Sequence, residues 1–122
     1  MKIIVVDDEQ DILAILKKFL NRCGFEVLTA ASGQQALSIL RQHCKADLLV
    51  IDMKMPGISG TEVLRELKKH DINIPFLMLT GSIDFNKHIS ALENIGYNNI
   101  EAVIKPVDLN ILLDKIKNKV KK

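Results

Sequence analysis

Five short apolar runs, separated by stretches of helical period, leave this chain few ways to fold. The runs are Lys2–Val6, Phe25–Thr29, Asp47–Ile51, Pro75–Leu79 and Ile100–Ile104. Most are almost continuously apolar, and the first and third are filled with β-branched residues. A strand with one wet face alternates in polarity; a strand covered on both faces does not. Leu77, Met78 and Leu79 would suit a helix by propensity, but the short run and Pro75 before it favour a strand. Between the runs, Ile12, Ile15, Leu16, Phe19 and Leu20 form one stripe that ends near Gly24. Ser32 with Gln35 and Ser59 with Glu62 have the spacing of capping boxes. Asp108 opens a last helix with Leu109, Leu112, Leu113, Ile116 and Val120 on one face. The stretch after Gly81 is weaker, with Ile83, Phe85, Ile89 and Leu92 loosely spaced before Asn94 and Gly96. Strand and helix in alternation predict βαβ units, a parallel sheet and helices on both of its faces.

A chain of 122 residues is expected to form one domain with one core. A net charge of +2 is too small to imply nucleic-acid or membrane binding by itself. Much of the basic excess lies in Lys115, Lys117, Lys119, Lys121 and Lys122, which reads as a solvated last turn. Cys23 and Cys44 form no metal-binding spacing and read as small hydrophobes in a reducing compartment. The N-terminal apolar stretch is too short for a signal peptide or a membrane span, so the cytoplasm is the expected location. His43, His70 and His88 read as surface or cap residues that do not sit beside the acidic cluster, and not as a second phosphorylation site.

The polar residues directly after the runs carry the chemistry. Asp7 and Asp8 follow the first run, Asp52 the third, Thr80 the fourth and Lys105 the fifth. In an open parallel sheet, ligands bind beyond the carboxyl ends of the strands. Each residue alone has an ordinary explanation as a cap or turn residue. Together they make an acidic pocket flanked by a hydroxyl and an ammonium. Clustered carboxylates repel one another and suit Mg²⁺, which takes hard oxygen ligands. Asp52 is then an oxygen nucleophile for a phosphoryl group, with Thr80, Lys105 and loop N–H groups around Lys54 to cover the developing charge.

Asp7-Asp8, Asp52 with Pro56-Gly57 downstream, Thr80, and Lys105-Pro106 closely resemble the receiver (CheY-like) domain of two-component response regulators. The likeness spans Lys2 to about Val120. It implies a flavodoxin-like, doubly wound, five-stranded parallel sheet of order 2-1-3-4-5 with five helices, a three-layer α/β/α fold filling residues 1–122. It implies that Asp52 takes a phosphoryl group from a sensor histidine kinase or a histidine phosphotransfer protein. Asp7, Asp8, Asp52 and the Lys54 backbone carbonyl would hold Mg²⁺, Lys105 would pair with the phosphate, and Thr80 would swing inward to bond it. Such a domain is a signalling phosphoacceptor that assists its own modification, not an enzyme. A downstream effector or output domain is the expected reader, and a dimer formed on phosphorylation is a further expected partner state. Neither nucleic acid nor membrane is an expected partner of this domain. The chain reads either as a stand-alone receiver or as one domain of a longer protein.

Two departures stand out. The family usually carries an aromatic residue three places before the lysine, and Ala102 stands there. The segment from Thr80 to Lys105 is longer than usual, with Tyr97-Asn98-Asn99 as the expected extra loop and Tyr97 half-exposed in it. Lys54 and Ser82, each two places past a site residue, fall where the family flanks the phosphoryl group. Three other readings compete with this one. A haloacid-dehalogenase-type phosphatase needs a second Asp where Glu9 stands. A flavodoxin-like cofactor carrier would have its phosphate repelled by Asp7, Asp8 and Glu9. A receiver-shaped interaction module independent of phosphorylation is the remaining alternative.

Overall fold

The computed structural model describes residues 1–43 and 45–120, so readings that fall on Cys44, Lys121 and Lys122 lie outside the described residues. Ten elements alternate strictly: β1 (Lys2–Val6), α1 (Gln10–Arg22), β2 (Glu26–Ala30), α2 (Gly33–Gln42), β3 (Leu48–Asp52), α3 (Gly60–Lys69), β4 (Phe76–Thr80), α4 (Phe85–Ile95), β5 (Glu101–Ile104) and α5 (Leu109–Val120). All strand pairs are parallel and the order is β2-β1-β3-β4-β5. The flavodoxin-like α/β/α fold is therefore as the sequence implies.

β2, β3 and β4 each sit one residue later than their apolar runs. The sheet ladder, rather than hydrophobicity, sets these ends. Asp52 stands opposite Leu79, and Thr80 stands opposite Ile104. The Lys105 N–H donates to the Thr80 carbonyl at 2.9 Å. Asp52 and Thr80 are thus the last residues of their strands, and both are buried.

Period-two alternation divides the core between the faces. Ile4, Val6, Leu49, Ile51 and Met78 pack against α2, α3 and α4 through Leu40, Leu64 and Leu92. Ile3, Val5, Leu48, Val50, Leu77 and Leu79 pack against α1 and α5 through Leu16, Leu20, Leu112 and Ile116. Three expectations about the helices need correction. In α1 the buried residues are Leu13, Leu16 and Leu20, while Ile15 is 54% exposed. That helix offers two overlapping apolar arcs, and packing on the sheet beside Ile3, Val5 and Val27 selects the one centred on Leu16. Ile83 is 94% exposed in the turn before α4 and lies on no helix face. The Ser32 box is half formed, because Ser32 Oγ accepts the Gln35 N–H while Gln35 Oε1 accepts the N–H of Ala31. The Ser59–Glu62 box is complete, and Asp108 caps α5 by accepting the Asn110 and Ile111 N–H groups.

Four smaller readings also change. Cys23 is exposed rather than packed as a small hydrophobe, since it follows the last turn of α1. Lys119 is not a freely solvated lysine, because its ammonium lies 3.2 Å from Glu101 Oε1. Tyr97 is an anchor, not a loose loop residue. Its hydroxyl donates to the Leu64 carbonyl at 2.6 Å, and its ring meets Phe76 edge-on at 5.1 Å. The Lys68 ammonium lies 4.7 Å from the ring centroid, and burial pushes the phenol up to about 12. His88 is only partly exposed, and its ring bonds Thr80 at the candidate site.

α3 begins against the backbone of β3. A Cβ on Gly60 would stand 2.5 Å from the Asp52 carbonyl oxygen and 2.8 Å from the Met53 Cα. Neither backbone atom can yield without moving the strand end. Gly60→Ala is expected to destabilise the fold by about 1–3 kcal/mol, the usual cost of overpacking. A urea unfolding midpoint equal to that of the native chain would show that the contact relaxes freely.

Candidate functional site

Register brings the polar strand ends together. Val6 pairs with Ile51, so Asp7 follows β1 beside Asp52, while Lys105 follows β5 at the same end of the sheet. Asp7 is fully buried and Asp52 is 3% exposed. The Asp7 carboxylate accepts the Glu9 N–H at 2.9 Å, and Asp52 accepts the Lys54 N–H at 3.2 Å. These short backbone bonds fix both carboxylates at the tips of their strands.

The Lys105 ammonium bridges them, 3.2 Å from Asp7 Oδ2 and 3.3 Å from Asp52 Oδ2, with Glu9 Oε1 at 3.9 Å. Asp8 is exposed on the rim of the same group. Oxygen atoms from Asp7, Asp8 and Asp52 lie within 4.8 Å of one another, close enough to share one metal ion. One ammonium therefore serves both buried carboxylates, Asp7 and Asp52. Burial, and then repulsion from Asp7, raises the Asp52 carboxyl from 3.8 to about 6, against the opposing pull of the Lys54 N–H and Lys105. Burial alone would lower Lys105, but Asp52 and Asp7 overcome it and hold the ammonium above its ordinary value. An all-oxygen set of three carboxylates fits a hard divalent cation.

The raised Asp52 value has a consequence for stability. In the unfolded chain this carboxyl titrates near 3.8; in the fold it titrates near 6. Between those values the folded chain keeps a proton that the unfolded chain releases, so stability falls as pH rises. The loss is complete above about pH 6 and is on the order of 3 kcal/mol. Urea midpoints in chelator should fall for the native chain between pH 4 and 6. Asp52→Asn should remove that part of the slope, and identical slopes for the two proteins would refute it.

Thr80 is 2% exposed and faces the helix side of this end. Its Oγ1 lies 2.7 Å from His88 Nδ1 and 3.3 Å from the Gly81 carbonyl oxygen. Among the described residues the Thr80 hydroxyl makes no hydrogen bond to the side chain of Asp52 or Lys105. His88 sits in the first turn of α4, and its link to Thr80 is the feature that the sequence did not reveal. The available signal was a histidine in the opening turn of the helix that follows the threonine strand. Burial lowers its imidazole, with Lys87 and Lys54 acting the same way and Asp84 opposing them. His43 and His70 do lie apart from the pocket: His43 Nδ1 is 3.2 Å from the Lys2 ammonium, and His70 caps α3. Lys54 and Ser82 are exposed. Ala102 and Phe85 line one groove of about 470 Å³ between α4, β5 and α5, so the ring missing from β5 has a neighbour on α4.

The comparisons with known proteins agree with this arrangement. The family model of the response regulator receiver domain matches residues 3–117. A response regulator receiver domain protein from Clostridium thermocellum is 38% identical, with a TM-score of 0.86 over 98% of this chain and 94% of that one. Vibrio cholerae chemotaxis protein CheY4 is 27% identical, with a TM-score of 0.85 over 96% of each chain. The Staphylococcus aureus response regulator SaeR is 30% identical over 120 residues, which cover 98% of this chain and 52% of SaeR. The chain thus spans about half the length of the curated relatives it matches. The chain belongs to the response regulator receiver domain family. It is a two-component signalling phosphoacceptor domain rather than an enzyme in the ordinary sense. No described helix is long and apolar enough to cross a membrane.

Proposed function

We propose that residues 1–122 form a single receiver domain in which Asp52 is the phosphoacceptor. The observation that supports this most is the placing of the Asp52 carboxylate. It is buried, lies 3.3 Å from an ammonium, and is close enough to Asp7 and Asp8 to share an ion with them. In the transfer, an Asp52 oxygen forms a bond to phosphorus. The bond from phosphorus to the donor's leaving group breaks, and that group departs with the electron pair. Lys105 and the Lys54 N–H stay against the oxygens that carry the charge. Asp7, Asp8, Asp52 and the Lys54 carbonyl would hold Mg²⁺, which when bound supplies charge neutralisation between the carboxylates and the phosphoryl group. Thr80 is the hydroxyl that turns to the modified side chain.

The donor is a phosphohistidine on a sensor kinase or a phosphotransfer protein. The modification adds roughly −1.5 to −2 charge. That charge biases a two-state equilibrium, and the surface of α4, β5 and α5 passes it to an effector, an output domain or a second copy. Cytoplasmic placement follows from the donor's chemistry. Ala102 supports one second reading, an interaction module that works without phosphate. Acetyl phosphate with Mg²⁺ separates the two. Stoichiometric, Mg²⁺-dependent labelling supports the receiver reading, and an unlabelled chain supports the module.

A further inference from the structure

Thr80 cannot reach water at 2% exposure, so its hydroxyl depends on protein partners. Both partners lie on the α4 side: His88 Nδ1 and the Gly81 carbonyl. Ala102 offers no side chain that could follow Thr80 into the sheet. We propose that His88 is the positioning residue for Thr80: the imidazole holds the hydroxyl outward in the unmodified domain and is released when Thr80 turns to a phosphoryl group on Asp52. The proposal deepens the phosphoacceptor reading and rests on it.

The chemistry suits a latch that opens only for a strong competitor. A neutral imidazole offers one donor and one acceptor, so Nδ1 can make one good bond to a hydroxyl. Nδ1 accepts when the ring proton is on Nε2, or donates while the hydroxyl gives its own proton to Gly81. Either way the bond joins two neutral groups. A hydroxyl bonded to a phosphoryl oxygen is charge-assisted and roughly twice as strong. The exchange is therefore favourable once the anion is present and unfavourable before. His88 belongs to the first turn of α4, so its release frees the end of the helix that borders the groove by Ala102 and Phe85. A histidine on α4 thus holds Thr80 where β5 offers only Ala102.

The test uses the full chain with ¹⁵N-labelled histidine and lysine, titrated with beryllium fluoride and Mg²⁺. Only three histidines contribute imidazole signals, and the Lys54 amide reports occupancy of the site. In the native chain the His88 Nδ1 resonance should move at saturation while those of His43 and His70 stay. His88→Leu should lower the half-saturating beryllium fluoride concentration by roughly two- to tenfold, the effect of one net hydrogen bond lost from the unmodified state. Two further variants separate the bond from general packing. His88→Asn puts an amide where Nδ1 stands and should remain within about twofold of native. His88→Gln puts it where Nε2 stands and should behave like His88→Leu. If the Lys54 amide saturates but His88 Nδ1 does not move, or if the three variants match the native chain, the latch is wrong. If the native chain shows no saturation at Lys54, the phosphoacceptor reading itself fails and takes the latch with it.

Discussion

Asp52→Asn is expected to take up no phosphoryl group under conditions in which the native chain, mixed with acetyl phosphate and Mg²⁺, gains the mass of one. The substitution keeps the shape of the side chain and its acceptor for the Lys54 N–H. It removes the carboxylate that must form the new bond to phosphorus, and an amide is no replacement nucleophile. Loss of uptake could otherwise be blamed on unfolding, but here stability should move the other way. Asp52 is a buried anion opposed by Asp7, so its removal at neutral pH relieves repulsion. A folded, more stable, unlabelled protein is therefore the expected result. Intact mass and a urea midpoint on one sample read both quantities. Labelling of the variant would move the acceptor role elsewhere, with Asp8 the exposed carboxylate on the same rim.

The sheet was legible because strands buried on both faces leave an unmistakable apolar record, and five such runs admit few topologies. Their ends were less legible. Asp52 and Thr80 look like loop residues by polarity, yet ladder bonds to β4 and β5 draw them into the strands. Burial does not depend on this difference, since Asp7, one residue past β1, is as buried as Asp52 in the ladder. The α1 stripe failed for a different reason. Apolar residues at 12, 13, 15, 16, 19 and 20 support two arcs, and only the way the helix lies on the sheet decides between Leu13 and Ile15. Tyr97 and His88 were illegible in a stronger sense. Each makes its bond across an element boundary, to Leu64 in α3 and to Thr80 in β4. Spacing along the chain carries no record of such a contact unless the turn between the elements is already known. The acidic pocket escaped this limit because a parallel sheet gathers its carboxyl ends whatever the loops do.

Lys105→Met should lower the rate of labelling at pH 7 by about 10²–10³, the usual cost of removing one group aimed at developing charge. Methionine keeps the length of the side chain and discards only the ammonium. Two effects follow from that one change. The phosphoryl oxygens lose the cation that stands 3.3 Å from Asp52. In addition, Asp7 and Asp52 lose their shared counter-charge, so the Asp52 carboxyl rises beyond about 6 and is more often protonated when the donor arrives. The two are separable by pH. Raising the pH ionises Asp52 again and should recover the second part of the loss, leaving a deficit that does not depend on pH. Lys105→Arg restores the charge but spreads it over a planar fork in place of a compact ammonium, so it should recover the Asp52 titration more fully than the rate. A Lys105→Met rate within about threefold of native at pH 7 would remove Lys105 from the chemistry and leave it only the task of holding two buried carboxylates apart.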